Sequence, residues 1–274
     1  MRKMIKKSLL LTVLTLNTVN VLAEDNTALD CVIEPHEVVE ISSPVPGILD
    51  VFNVERGDTV KKGQVVAKLK SGVEEVSVRL AKVRADMDAD IYARKAESEL
   101  KKRSSEQLEI LFNKKLASLH DHDDAKTLSV IADFEHKKAL ELRHVAQLEL
   151  EHAQEVLTQR YLKSTVDGVV VERMKSPGEY VADLPVLKIA QIDPLNVEVI
   201  APIDLLGSIF VGMEVEVRAE QPVGGVFLAK VVIVDTVIHA SSGTIGIRLN
   251  LPNPAHKISA GLRCKVNFNK NNTK

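Results

Sequence analysis

Two groups of residues in this 274-residue chain have side chains suited to chemistry. The first is His120-Asp121-His122-Asp123-Asp124, five consecutive residues of metal-ligating type. An ion such as zinc needs ligands that converge on one point, whereas neighbours at the start of a helix diverge. Carboxylates beside a helix N-terminus are stabilised by the partial positive charge there, so these aspartates need no metal. The second group is the only cysteine pair, Cys31 and Cys264. In an oxidising compartment they can close a disulfide, and two unpaired thiols in separate strands fit the sequence equally well. The eight histidines lie mostly on charged helical surfaces or in loops, no serine sits in a nucleophile elbow, and no glycine loop is built to cradle phosphate. The expectation is no catalytic site, no metal and no cofactor.

The elements that hold these residues begin after a leader. Arg2, Lys3, Lys6 and Lys7 precede an apolar run from Leu9 to Leu16, and Val21-Leu22-Ala23 offers small-residue cleavage chemistry before Glu24. Asn17 and Asn20 interrupt the run, and a membrane span needs about 20 apolar residues, so cleavage and export are expected. Losing four cations and no acids takes the net charge from −2 to −6. That balance offers no electrostatic basis for binding nucleic acid. Aromatic residues are 3% of the chain, so its cores must be built from Val, Leu, Ile and Ala, which favours several thin domains.

A short pattern occurs twice, 121 positions apart. Ser43, Val45, Gly47, Ile48, Gly57, Asp58 and Val60 align with Ser164, Val166, Gly168, Val169, Gly178, Glu179 and Val181. In each copy the glycines are ten residues apart and an acid follows the second one. Gly57-Asp58 and Gly178-Glu179 fall where the chain must reverse, and glycine supplies the positive φ such turns require. An isolated hairpin is marginal in water, so neither copy can bury a core alone, and the two must pair.

Between the copies, Gly72 to Tyr161 holds no proline and no glycine after Gly72. It is rich in good helix formers. Ala125, Leu128, Ala132, Glu135, Ala139, Leu142, Ala146, Glu149, Ala153 and Val156 step alternately by three and four, a heptad seam. Val73, Val76, Leu80, Val83 and Met87 begin a matching seam that turns polar through Asp90 and Arg94. A turn in the region of Ala117 to Asp121 makes an antiparallel hairpin whose arms reach about 60 Å. After Asp193-Pro194, alternating segments at 195–200, 215–218, 227–237, 244–251 and 264–268, with a short helix from Asp204 to Phe210, suggest a small antiparallel barrel.

The stretch Ser42-Ser43-Pro44-Val45-Pro46-Gly47-Ile48, followed by Val54 to Ala67, resembles the first half of a biotinyl/lipoyl-like domain, and Thr165 to Val170 with Pro177 to Val181 resembles the second. Split domains of this kind, divided by a helical insert, are similar to those of periplasmic adaptor (membrane fusion) proteins of the HlyD-like family in RND-type efflux systems. A true carrier domain would place its modified lysine on the turn joining the halves. The helical insert occupies that joint here, and Lys61 and Lys62 lie in another turn. The implied fold is α+β and elongated: an antiparallel α-helical coiled-coil hairpin inserted in a split lipoyl/biotinyl-like β-domain, followed by a small β-barrel. The boundaries are signal peptide 1–23, a segment joining the barrel 24–40, first half 41–71, hairpin 72–161, second half 162–194, barrel 195–268 and tail 269–274.

The resemblance implies a periplasmic subunit, forming a homo-oligomeric and usually hexameric ring, that links an inner-membrane transporter to an outer-membrane channel. An adaptor of an ABC-type exporter and an envelope scaffold without transport are the alternatives. In the family an Arg, a Leu four residues on and a Ser seven beyond that contact the channel. Gln107, Leu111 and Ser118 occupy those positions here, followed by Asp121, Asp123 and Ala125, which also fit. An amide cannot replace the charged, multidentate guanidinium, so Gln107 weakens or re-specifies that contact. By their residue types alone, Leu111 belongs to the seam and Ser118 is an N-cap. The family's N-terminal stretch runs through the barrel. Pairing it with the last strand would bring Cys31 to Cys264 in a disulfide closing the mature chain. The membrane-proximal β-domain of many pump adaptors is expected to be absent or reduced, which leaves open how a transporter is contacted.

Overall fold

The computed structural model describes residues 28–268, so the expected leader (1–23) and tail (269–274) lie outside the described residues. The chain forms two compact units. One comprises Ile33–Val197 with Asn250–Leu262, and the other contains Glu198–Leu249 with the flanking ends of the chain.

The first unit holds most of β1 (Leu29–Ser42), then β2 (Gly47–Phe52), β3 (Thr59–Val60) and β4 (Val65–Leu69). After the helical insert come β5 (Tyr161–Lys163), β6 (Gly168–Arg173), β7 (Tyr180–Val181) and the first part of β8 (Pro185–Pro202). The twin segments fold against each other by reciprocal exchange. Gly57 N–H donates to the Val170 carbonyl and Val170 N–H to that of Asp58, both at 2.9 Å. The equivalent residues of the other copy repeat this: Gly178 N–H donates to Leu49 (2.8 Å) and Leu49 N–H to Glu179 (2.9 Å). The strand registers obey the same relation, with Val60 opposite Gly168 and Val181 opposite Gly47. Each half thus completes the other's sheet, and Leu49, Val60, Leu69, Val170, Leu187 and Ile189 form one shared core.

The glycines of the pattern serve two ends. Gly57 and Gly178 sit at φ +94° and +91°, where a side chain is strained. Gly168 has ordinary dihedrals, but a Cβ there would meet the Ala190 carbonyl, 2.9 Å from its carbon and closer still to its oxygen. The acids after the turn glycines brace the turn from within. Glu55 N–H donates to the Asp58 carboxylate and Ser176 N–H to that of Glu179, each at 2.7 Å.

That amide bond, helped by Lys175, holds the Glu179 carboxyl below the usual glutamate range. A depressed folded-state value stabilises the fold above the ordinary range, and the contribution is lost as pH falls through the lowered value. Glu179→Gln should therefore lower the melting temperature at neutral pH and narrow its gap to wild type in acid. Melting curves that run parallel at every pH would show that the turn draws nothing from this charge.

The insert is α1 (Gly72–Ala85), α2 (Ala89–Asn113) and α3 (Leu119–Thr158), with α1 and α2 both packed on α3. The first arm is therefore broken at residues 86–88, which no proline or glycine announces. Asp86 ends one helix and Asp88 occupies the N-cap position of the next. Aspartate is a poor residue for a helix interior, though the Asp88 side chain makes no capping bond here.

The seam is narrower than heptad spacing suggested. Ala125, Ala132, Ala139 and Ala153 are buried, while Leu128 and Leu142 are exposed. On α1 the buried residues are Ala81 and Ala85, and Val73, Val76, Leu80 and Val83, like Met87 in the break, are each more than half exposed. Two helices bury only one stripe between them, and alanine allows the closer approach, so the larger aliphatics of α1 are left facing outward.

The second unit adds β9 (Glu214–Ala219), β10 (Val226–Val234), β11 (Thr244–Leu251) and β12 (Leu262–Asn267) to parts of β1 and β8. Hydrogen-bonded order runs β1-β12-β9-β10-β11-β8, and β1 also pairs with β8, which closes a barrel. Val215, Val217, Ile245, Ile247 and Leu249 alternate inward to fill it. The helix expected from Asp204 to Phe210 is a single 3₁₀ turn, Ile203–Leu205. Gly207 at φ +90° breaks it, and Leu206 then bridges to Ile209. Cys31 on β1 and Cys264 on β12 point into this barrel with Cα atoms 4.9 Å apart and their sulfurs bonded.

Candidate docking site at the hairpin tip

The hairpin is set on the split β-unit by polar clamps at its root. Arg160 donates from Nη1 to the Pro46 carbonyl (2.9 Å) and from Nη2 to Glu74 of α1 (2.6 Å). On the same helical turn, Glu75 accepts from Lys68 (3.0 Å) and Ser71 (2.8 Å). These bonds hold the Glu75 carboxyl below its ordinary range, the Lys68 ammonium contributing most. The strand-to-helix junction is therefore cross-braced between both arms and the first half of the β-unit.

At the far end, α2 closes with Lys115 N–H donating to Phe112 and Leu116 N–H to Leu111, both at 2.8 Å. Lys115 adopts φ +59°, the left-handed conformation that ends many helices. Ser118 then caps α3. Its Oγ accepts from Asp121 N–H (3.1 Å) and donates to the Asp121 carboxylate (2.6 Å). Across the turn Phe112 stacks on His122, ring centroids 4.9 Å apart and planes 22° from parallel. His122 Nδ1 lies 3.1 Å from Asp123. The turn is thus held by a cap on one side and a ring stack on the other.

Gln107, Leu111 and Ser118 are all exposed around this end of the hairpin. Leu111 does not belong to the seam, because Leu108 and Phe112 take the half-buried positions towards α3. The sequence reading passed over Leu116 and Leu119, which flank the turn and are the most exposed leucines near it. Their signal was available: two large aliphatics in a turn otherwise made of Lys, Ala, Ser, His and Asp. The exposed surface joins three leucines to an amide and a hydroxyl, a combination suited to burial in an apolar groove with hydrogen-bonded edges.

The His120–Asp124 run is not drawn together. His120 pairs with Asp124 (3.4 Å) and His122 with Asp123, so the two imidazoles serve separate carboxylates. Among the described residues no group of three or more His, Cys, Asp or Glu side chains could hold a metal ion. Lys61 and Lys62 lie exposed in the turn between β3 and β4.

Comparison with known proteins agrees with this geometry. The family model for the CzcB-like barrel-sandwich hybrid domain matches residues 37–191, more than half of the chain. The CusB-like β-barrel domain matches residues 195–272. An uncharacterized protein of Haemophilus influenzae is 20% identical over 234 residues, covering 84% of this chain and 54% of its own. This chain therefore spans about half the length of that relative. Among solved structures, MacA from Actinobacillus actinomycetemcomitans superposes with a TM-score of 0.71 at 22% identity, covering 88% of this chain and 76% of that one. The membrane fusion protein Spr0693 from Streptococcus pneumoniae R6 gives 0.58 at 16% identity, covering 87% and 96%. A MacA–MexA chimera carrying the Pseudomonas aeruginosa MexA α-hairpin gives 0.55 at 18% identity, covering 88% and 79%. At these identities the structures speak for the fold, and the matched domains supply the family. With a CzcB-like barrel-sandwich hybrid divided by a helical hairpin and followed by a CusB-like β-barrel, the chain belongs to the membrane fusion proteins with a CzcB-like barrel-sandwich hybrid domain.

Proposed function

We propose that this chain is a periplasmic adaptor subunit, exported by its leader, that bridges an inner-membrane transporter of RND type and an outer-membrane channel. The observation that carries this reading is the braced hairpin, whose 40-residue α3 reaches about 60 Å from the β-unit and ends in an exposed leucine-rich turn. That length suits bridging a distance. The CusB-like β-barrel matched over residues 195–272 supports the RND class over an ABC-type exporter.

Gln107, Leu111 and Ser118 are proposed to touch the channel. The exposed stripe Val73, Val76, Leu80, Val83 and Met87 supports lateral packing of hairpins between copies in a ring. A photo-cross-linker at Ser118 should capture an outer-membrane channel in cells, and one at Phe227 on the barrel should capture an inner-membrane protein whose class names the transporter. Gln107→Arg should raise the channel yield several-fold, because guanidinium adds charged donors that the amide lacks. A tip that captures no channel in either form sinks the bridge. Capture of a nucleotide-driven exporter at Phe227 moves the protein to the ABC class.

A further inference from the structure

The two helices of the hairpin meet at their far end through an aromatic pair that their other facing residues do not duplicate. On α3 the residues turned towards α2 recur at heptad spacing as His122, Ala125, Ser129 and Ala132, each buried or half-buried. On α2 the half-buried positions leading to the turn are Lys101, Ser105, Leu108 and Phe112. Most of these side chains are small or polar. Near the tip only Leu108, Phe112 and His122 offer large surfaces, and the last two stack with ring centroids 4.9 Å apart, within the range aromatic pairs prefer. The His122 side chain is 17% exposed although it lies in the opening turns of α3, where the neighbouring Asp121 and Asp123 are open to solvent.

The stack closes the base of segment 113–121, and backbone bonds join it to the tip residues on both sides. Leu111 adjoins Phe112 on α2, and its carbonyl accepts from Leu116 N–H at 2.8 Å. On α3, His122 N–H donates to the Ser118 carbonyl (3.2 Å), while the Ser118 hydroxyl accepts from Asp121 N–H (3.1 Å). The pair stands apart from the shared core of the split β-unit, which contains neither ring. Losing the stack would therefore loosen the turn and leave the rest of the fold in place. What the stack supplies is one fixed shape for the tip, and a segment ordered before contact loses less entropy when it docks.

We propose that Phe112 and His122 are positioning residues for channel docking: stacked, they hold Leu111 and Ser118 in the arrangement the channel meets. The inference rests on the bridging reading given above, and two measurements separate the fates of the two. In the isolated exported chain, amide hydrogen exchange over 113–121 should quicken about tenfold in His122→Ala and stay as in wild type in His122→Phe, with the melting curve unchanged in both. In cells, a photo-cross-linker at Gln107, which leaves cap and stack intact, should capture the channel with wild type and with His122→Phe. His122→Ala and Phe112→Ala should each lower that yield about fivefold, because the tip must then be ordered during docking. Unchanged exchange in His122→Ala overturns the proposal, as does a lowered melting temperature, which would make the pair a stability element. Undiminished capture by His122→Ala, or capture lost in His122→Phe, overturns it while the bridging reading stands. A wild type that captures no channel removes the bridging reading and this inference with it.

Discussion

Gly168→Ala should cost the split β-unit far more stability than Gly57→Ala does. Both glycines belong to the repeated pattern, yet the physics at the two positions differs. At Gly57 nothing lies within 4 Å of an added Cβ, and the cost is the φ of +94°, about 1–2 kcal/mol. At Gly168 the dihedrals are ordinary, and the added carbon runs into the Ala190 carbonyl of the paired strand β8. Backbone cannot rotate aside as a side chain can, so the strands must separate, breaking the register in which Val169 faces Ala190. A loss of about 3 kcal/mol, the upper end of the usual cost of overpacking, follows. At Gly47, the counterpart of Gly168, an added Cβ would meet side chains and not backbone, Arg160 Nη1 at 2.8 Å and Leu69 Cδ1 at 3.1 Å, so it could be accommodated at the expense of the Arg160–Pro46 bond. The expected order of stability is wild type, then Gly57→Ala, then Gly168→Ala, read from chemical denaturation. Equal losses at the two positions would rule out close backbone approach as the reason for Gly168.

The second large effect is expected at Cys31 and Cys264. We propose that the bond between them forms in the exported protein, where it links residues 233 positions apart. In the chain-entropy account, closing a loop of that length stabilises by about 5 kcal/mol when the whole chain unfolds together. The figure shrinks if the split β-unit stays folded while the barrel opens, because the folded unit already shortens the loop. Cys31→Ala with Cys264→Ala should therefore lower the melting temperature of the barrel most, with a smaller change in the β-unit. Reductant should have the same effect on wild type and none on the double variant. Mass mapping without reduction that finds both thiols free removes the basis for either result.

Much of the architecture was legible before any coordinates. The spacing of Gly47, Gly57, Gly168 and Gly178 announced two half-motifs that had to meet, and they do, through hydrogen bonds exchanged in both directions. The strand at Thr244–Leu251 and the helical character between Gly72 and Thr158 follow from local patterns, and local patterns are short-range physics. The tip was readable in part. Ser118 was marked as a cap, but Leu111 was assigned to a seam that it does not enter. The reason is general: heptad spacing says which residues share a face, and cannot say which of two adjacent faces the partner helix will cover.

By itself the sequence determined periodicity, turn positions and the pairing of like with like, because each depends on a residue and its near neighbours. Only the tertiary structure decided that the alanine column, not the leucines, lies between the arms, since that choice is made by how closely two helices can approach. It likewise decided that Gly168 is needed for space and Gly57 for dihedral freedom, a difference set by how closely the Ala190 backbone of the paired strand approaches Gly168.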